Sequence, residues 1–317
     1  VTRTSDAADM TNTVWYTFRT PVALADYAVQ IDVNSELPWP FGDLVNPKIA
    51  VWESQDGSCN YTHPNGTNMV EMASEYDPLA FWGESIDVFC LKPNTQYYVQ
   101  VGGTPNVYGQ DQGYFDIVIN DIPPIAIPVN DDVCSAVNLG TMSNVVNSKL
   151  GNASSGASNY HNYCTDLEAG EPVPAAFTPD NTVWFKFRTP NNAGKRFNVT
   201  VNANSDPAPT KNDGINLQLA LYESSVLGSC AFANFTELES DFDAILWDET
   251  LTATCLKPNT DYYIQVDGTK GFLELFRAQG FGYFGIEVVT TAYYDAPAND
   301  NMCNATNLGT VPVASQL

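Results

Sequence analysis

The sequence predicts an all-β protein made of tandem β-sandwich domains, of jelly-roll or immunoglobulin-like type, that are held by disulfides. Three observations lead to this prediction: a block that occurs twice, an alternation of β-branched or aromatic residues with polar ones, and seven cysteines. The block runs Cys90-Leu-Lys-Pro-Asn-Thr-Gln-Tyr-Tyr-Val-Gln-Val and returns from Cys255 with only Gln→Asp and Val→Ile changed. A Lys-Pro-Asn-Thr turn before an alternating run is typical of a half-buried strand.

The spacing of the repeated motifs indicates domains in series. Asn-Thr-Val-Trp begins at Asn12 and again at Asn181, and an Asn-Asp-(Asp/Asn)-x-Cys motif ends at Cys134 and again at Cys303, so both motifs return after 169 positions. Solenoid units have periods of roughly 20–50 residues, so this period is that of a whole domain. We expect a first repeat at 1–125, a second repeat at 130–294 and the opening strand of a third repeat, or a donated strand, at 297–317.

Both repeats carry the same six strand patterns, separated by Gly, Pro, Asn and Asp. No window has a convincing helical periodicity, and the proline-rich segment 122–129 predicts an extended connector. The predicted strands are 14–20, 27–33, 48–53, 85–91, 96–101 and 113–120 in the first repeat and 183–189, 196–202, 217–223, 250–256, 261–266 and 282–289 in the second.

Measured with the repeat, Val1 corresponds to about position 170, so the first repeat lacks an equivalent of 130–169. Two arrangements follow. The chain is a window cut from a longer array, or the 297–317 segment of one subunit completes the first repeat of the next by strand donation. We favour the window. In both arrangements the partners are neighbouring copies or repeats of the same protein.

Charge excludes several partners. Thirteen basic against thirty-seven acidic residues give a formal charge of −24. Nucleic acids and anionic lipid surfaces require a positive footprint, so neither is expected as a partner. No run approaches the ~18 apolar residues of a membrane helix, so no membrane insertion is expected.

The cysteines predict disulfides and an extracellular, secreted or cell-surface address. Because they occupy parallel places in the two repeats, we predict the bridges Cys59–Cys90 and Cys230–Cys255, with Cys134–Cys164 as the third pair and Cys303 unpaired within this chain. No Cys-x-x-Cys occurs, which disfavours a zinc or thioredoxin-like site.

Calcium is the one cofactor that the sequence suggests, because carboxylate and amide oxygens cluster where one repeat meets the next. The candidate ligands are Asn130, Asp131 and Asp132, their counterparts Asn299 and Asp300, and Asp213. The alternative is an Asx-turn or cap that leads into a strand without metal.

Catalysis has little support. His63 and His161 have no counterparts in the other repeat, and the familiar hydrolase, metalloprotease and phosphate-loop motifs do not occur, so no enzyme is expected. Aromatic residues in variable loops offer sugar-stacking platforms, although packing within the loops is an equal alternative. These aromatics are Trp39, Trp82, Trp247, Tyr160 and Tyr163.

Taken together, the Val-Trp-Phe-Lys-Phe-Arg-Thr-Pro, Leu-Gln-Leu-Ala-Leu-Tyr-Glu-Ser, Leu-Lys-Pro-Asn-Thr-Asp-Tyr-Tyr and Gly-Tyr-Phe-Gly-Ile-Glu-Val stretches resemble the bacterial pre-peptidase C-terminal domain. The resemblance covers most of both repeats and implies β-sandwiches of secreted and surface proteins that bind or build rather than catalyse. Some relatives bind collagen or carbohydrate, and some carry calcium at the junction between linker and domain. The extra cysteines and long Asn-rich loops depart from that family.

We therefore expect a structural or adhesive repeat segment of an extracellular cell-surface or filament-forming protein. The alternative is a carbohydrate- or collagen-binding accessory module pair of a secreted enzyme, with a glycan or matrix ligand.

Overall fold

The computed structural model describes residues 10–22, 27–35, 45–57, 59, 68–75, 83–103, 112–154, 159–205, 215–243, 248–269, 280–297 and 306–307. Throughout these ranges the chain forms strands, turns and irregular backbone, with short 3₁₀ turns at Val133–Ser135 and Phe232–Asn234. None of the described residues belongs to a helix that is long and apolar enough to span a bilayer. The protein is all-β.

The first repeat is a two-sheet sandwich. One sheet has the strand order β1-β6-β3-β4 and the other the order β5-β2-β7, with every pairing antiparallel. The strands are β1 (Thr11–Arg19), β2 (Tyr27–Ser35), β3 (Pro47–Ser54), β4 (Met69–Glu75), β5 (Gly83–Leu91), β6 (Gln96–Gly103) and β7 (Phe115–Ile122).

The second repeat has the same two sheets with three added strands. Its sheets have the orders β14-β13-β16-β11-β8 and β10-β17-β12-β15, and β9 also pairs with β17. The strands are β8 (Val137–Thr141), β9 (Lys149–Asn152), β10 (Tyr160–His161), β11 (Val183–Arg188), β12 (Lys195–Ser205), β13 (Asn216–Ser224), β14 (Phe235–Asp241), β15 (Glu249–Leu256), β16 (Asp261–Thr269) and β17 (Tyr283–Asp295).

Each sandwich encloses its own core, because alternate residues of facing strands point inward. In β12 the burial alternates residue by residue from Phe197 to Ser205. Ile31, Ile49 and Val99 form the centre of the first core and are fully buried. The second core is larger, since residues from β8, β9 and β10 pack against it as well.

The repeated Lys-Pro-Asn-Thr block is scaffold in both repeats. The hydroxyl of Thr20 donates to the carbonyl of Lys92 at 2.6 Å, and Thr189 donates in the same way to Lys257 at 2.6 Å. The Lys92 backbone N–H in turn donates to the Tyr97 hydroxyl at 2.7 Å, and the second repeat repeats that bond at 2.8 Å. These bonds fix the turn between β5 and β6 and the corresponding turn between β15 and β16.

All twelve predicted strands are present. Of the other five strands, β8 contains the Asn138-Leu-Gly-Thr sequence that opens the second repeat, and the sequence did not reveal β4, β14, β9 or β10. Within the part of the chain that the structure describes, β4 and β14 each pair with one neighbouring strand. Both carry acidic residues that interrupt the apolar alternation. The other two strands have four and two residues, too few for a periodic pattern.

The disulfide pairing predicted from the sequence is wrong. The structure joins Cys90 to Cys164 and Cys134 to Cys230, with Cα–Cα distances of 5.3 and 5.1 Å, while Cys59 and Cys255 are exposed free thiols. Within a repeat, the Ser-Cys segment follows a strand of one sheet, whereas the Cys-Leu-Lys-Pro cysteine lies on a strand of the other sheet. Cys303 lies outside the described residues.

The two disulfides require an oxidising, non-cytoplasmic environment in which to form and persist.

Candidate functional site: the junction between the repeats

The junction is built around a disulfide that crosses from one sandwich to the other. Cys90 lies on β5 of the first repeat, and Cys164 lies in the segment that precedes β11 of the second. Both cysteines have positive φ angles, 63° and 65°, an uncommon backbone state for residues other than glycine. The Cys164 sulfur lies 3.8 Å from the carbonyl oxygen of Ile125 in the connector. A covalent bond therefore accompanies the connector from one repeat to the next.

An aromatic contact lies beside the disulfide. Phe89 of the first repeat meets Tyr163 of the second edge to face, with ring centroids 4.9 Å apart. Tyr163 is 2% exposed and also packs against Phe281 and Tyr283, at 5.1 and 5.5 Å. The first repeat thus adds one ring to an aromatic cluster of the second.

Asn162 fixes the segment that carries Tyr163 and Cys164. Its side chain is fully buried and donates to the carbonyls of Asn181 and Gly280, at 2.9 and 3.1 Å. The oxygen of the same side-chain amide, Oδ1, accepts from the Gly282 N–H at 2.9 Å. A buried amide with partners on both ends positions its segment firmly. Sequence reasoning missed Asn162 because nothing in a polar loop distinguishes one Asn from its neighbours.

The predicted calcium ligands 130–132 lie at the entry to the second repeat. Asn130 is buried, donates its amide to the Trp184 carbonyl at 3.0 Å and accepts the Trp184 N–H on its backbone carbonyl at 2.8 Å. Asp131 accepts from the Asp166 N–H at 3.3 Å. Burial, together with the neighbouring carboxylates of Asp166, Asp132 and Glu168, raises the pKa of Asp131 to about 6. The hydrogen bonds of Asn130 therefore hold this segment against β11 at Trp184.

No set of three or more histidine, cysteine, aspartate or glutamate side chains in the described ranges is arranged to hold a metal ion. Asp213, Asn299 and Asp300 lie outside those ranges. The calcium assignment therefore stays a prediction.

Two further carboxyl groups are buried in the second repeat. Asp267 accepts backbone N–H groups from Asp180, Asn181 and Gly268, at 2.8, 3.0 and 2.7 Å. Burial raises the pKa of Asp267 and that of Glu249 to about 7 despite such bonds. Glu249 accepts from the Asp243 N–H. Both carboxyls serve as acceptors that hold loops, which is a structural role.

Of the residues that the sequence offered for catalysis or sugar stacking, those in the described ranges pack against other aromatic rings, and the others lie outside those ranges. His161 lies against Tyr163 and Tyr283, and burial lowers its pKa. Tyr160 packs edge to face on Phe185 at 4.8 Å, and Tyr163 belongs to the junction. Tyr160 and Tyr163 therefore pack against other rings of the protein, which is the alternative to sugar stacking. His63, Trp39, Trp82 and Trp247 lie outside the described residues.

A small polar cleft of about 190 Å³ lies between β8, β11 and β16. Arg188 and Asp261 form a bidentate ion pair there, at 2.6 and 2.8 Å, and Asp261 also accepts from the Gly228 N–H at 2.7 Å. Ligand pockets for small molecules usually measure roughly 300–1,000 Å³. The size and the internal pairing indicate a structural ion pair at this place.

The outer edge of β1 differs from the equivalent edge of β11. In the second repeat, β8 pairs with β11 in parallel, and Val183 and Phe185 are fully buried. In the first repeat, β1 is the last strand of its sheet within the described residues. Val14 and Tyr16, the counterparts of Val183 and Phe185, are 43% and 38% exposed. Within the described residues, Val14 and Tyr16 are therefore more exposed than their counterparts in the second repeat.

Comparisons with known proteins do not identify a family. No family model matches the chain, and no curated protein matches it. Among solved structures, the chain is similar to tripeptidyl peptidase 2, with a TM-score of 0.27 and 9% identity over 88% of this chain and 20% of that one. It is also similar to the PBSX exported protein XepA (TM-score 0.23, 11% identity, 93% of this chain and 88% of that chain).

A third similar structure is the tandem CBM22 domain pair of Paenibacillus barcinonensis Xyn10C, with a TM-score of 0.21 and 10% identity over 90% of each chain. The chain spans about one fifth of the length of the peptidase structure. The resemblance to pre-peptidase C-terminal domains stays a prediction.

Proposed function

We propose that this chain is a structural and adhesive repeat segment of an extracellular cell-surface or filament-forming protein, in which neighbouring repeats are joined covalently. The observation that carries the proposal is the Cys90–Cys164 disulfide between the two sandwiches.

The disulfide has a mechanical consequence. Domains in one chain usually move relative to one another unless their interface is large and apolar. Here a second covalent connection runs beside the connector 122–129, and the Phe89–Tyr163 contact lies next to it. Two attachments restrict bending far more than one, which suits an element that bears load or sets spacing.

The repeat pattern supports extension of this arrangement. Cys255 has the same place in the second repeat as Cys90 in the first and nearly the same φ, 62° against 63°. Its exposed thiol lies 3.0 Å from the Tyr294 hydroxyl. In an array, this cysteine would bond to the counterpart of Cys164 in a following repeat. The net charge of −24 keeps such arrays apart from one another.

The proposal is tested on cells that produce the protein. Antibodies raised against the recombinant chain are expected to label the surface of intact cells, and the denatured, non-reduced antigen is expected to be far larger than 34.6 kDa. Preimmune serum is the control. A free antigen of that mass in the medium, without surface label, would contradict the proposal. Glycan-array binding that depends on Trp39, Trp82 or Trp247 would favour the accessory-module alternative.

A further inference from the structure

The imidazole of His161 lies in the aromatic cluster that reaches the junction between the repeats. His161 is the last residue of β10, which pairs with Tyr283 and Phe284 of β17. Its ring centroid lies 5.8 Å from that of Tyr163 and 5.4 Å from that of Tyr283. Tyr163 in turn meets Phe89 of the first repeat. A single tyrosine ring therefore lies between this histidine and the first repeat.

One nitrogen of the His161 ring is enclosed. The side chain as a whole is half-buried, but Nδ1 is buried and makes no hydrogen bond to any of the described residues. A neutral imidazole carries a proton on one nitrogen and a lone pair on the other. A buried N–H without an acceptor is costly. We therefore assign the proton of the neutral ring to Nε2 and the lone pair to Nδ1.

Protonation changes what this place must hold. An imidazolium donates from both nitrogens, so Nδ1 gains an N–H that none of the described residues accepts. Burying a charged group without a partner is costly, and burial accordingly lowers the pKa of His161 from its ordinary value of 6.5. The attraction of a cation to tyrosine faces acts in the opposite direction but supplies no acceptor. The charged ring is therefore better hydrated outside the cluster than inside it.

The surroundings of the ring contain no charge that offsets this effect among the described residues. The titratable side chains that contact it are Tyr163, from its own segment, and Tyr283, from β17. Phe281 and Phe89, which pack on Tyr163 from two other segments, are apolar. Burial alone lowers the pKa of His161, and no carboxylate or ammonium group contributes. The ring therefore responds to pH through its hydration.

We propose that His161 makes the junction between the repeats proton-sensitive: the neutral ring completes the cluster around Tyr163, and the protonated ring turns out to solvent and loosens the Phe89–Tyr163 contact. This inference rests on the proposed structural function and adds a regulation of the same junction. The Cys90–Cys164 disulfide keeps the repeats joined in both states. Acid therefore makes the junction more flexible without separating the repeats.

The direction of the effect follows from linkage. Because the pKa of His161 is lower in the folded protein than its ordinary 6.5, the neutral ring contributes its full stabilisation above pH 6.5. This contribution is lost as the pH falls from 6.5 through the folded-state pKa. Glu249 and Asp267, whose pKa values are raised by burial, respond in the opposite direction. A readout confined to the junction is needed, since a global melting temperature combines both effects.

The first measurement is an NMR titration of the full chain with the substitution H63Q, in which His161 is the single histidine. Its pKa is expected below 6.5, and the shifts of its ring nitrogens at neutral pH are expected to be those of the Nε2–H tautomer. A pKa at or above 6.5 would overturn the inference.

The second measurement is hydrogen exchange, followed by mass spectrometry, in peptides that cover 85–91 and 159–164. The reference is H161F, which places an apolar ring there that does not titrate. At pH 5 these peptides should exchange roughly threefold or more faster in the natural sequence than in H161F, and at pH 7.5 equally fast. Since both proteins are compared at one pH, the intrinsic pH dependence of exchange cancels. The matched control H63F should behave like the natural sequence.

Equal exchange in the natural sequence and H161F at pH 5 would also overturn the inference. In that case a Cys90–Cys164 bond found by peptide mapping without reduction would leave the proposed function standing. Loss of that bond would count against the proposed function itself.

Discussion

Replacing both Cys90 and Cys164 with serine removes the covalent link between the repeats. The disulfide closes a segment with a sequence separation of 74 residues. For a loop of this length, the chain-entropy relation gives a stabilisation of ~4 kcal/mol against the unfolded chain. For domains of roughly 150–250 residues, each kcal/mol of stability shifts the melting temperature by roughly 2–4 °C. The double variant should therefore melt about 8–16 °C lower.

The assay is differential scanning calorimetry of the intact chain, paired with urea unfolding. The matched control is the variant with serine at Cys59 and Cys255, which are exposed and free and should leave the melting temperature unchanged. The C90S/C164S variant should also be cut faster by proteases within the connector 122–129, because the repeats then separate more freely. A melting temperature equal to that of the control would refute the reasoning that this bond stabilises the junction.

Three further predictions concern the junction and the buried acids. The N162A variant should lower the free energy of unfolding of the second repeat by about 2–4 kcal/mol, because three buried backbone groups lose their partner; the exposed N144A control should stay within about 0.5 kcal/mol in urea titrations. A double-mutant cycle of F89A and Y163A should give a coupling of about 0.5–1.5 kcal/mol, and zero coupling would show that the rings do not interact in solution. Folding raises the pKa of Glu249 from 4.5 to about 7. The protonated carboxyl therefore contributes its full stabilisation below pH 4.5, and this contribution to the free energy of unfolding is lost as the pH rises through 7. The melting temperature should therefore be higher at pH 5 than at pH 8, with a shallower decline in E249Q; an equal slope in that variant would contradict the assignment.

The strands were predictable because the repeat supplied two independent readings of each pattern. Apolar alternation in 196–202, for example, is matched by alternation in 27–33, and both segments form a strand that has a paired neighbour on each side. Strands with weak or short patterns were not predictable. Edge strands such as β14 (Phe235–Asp241) face solvent along much of their length, so acidic residues are tolerated there and the alternation is lost.

The disulfides and the junction could not be predicted for a different reason. A repeat places equivalent cysteines at equivalent distances, so sequence spacing does not distinguish a bond inside one repeat from a bond to the next. The role of Cys90 depends on the sheet that its strand joins and on the side of the sandwich that meets the neighbour. Asn162 acts through backbone groups 19 and 118 positions away, a relation that only the folded chain reveals.

The most direct test of the account is a disulfide map of the protein isolated without reduction from its natural source. After alkylation of free thiols and proteolysis, mass spectrometry should find Cys90 linked to Cys164 and Cys134 linked to Cys230, which are the bonds of the structure. Free, alkylated Cys90 and Cys164, or bonds from Cys59 to Cys90 and from Cys230 to Cys255, would contradict the claim that a covalent junction joins neighbouring repeats.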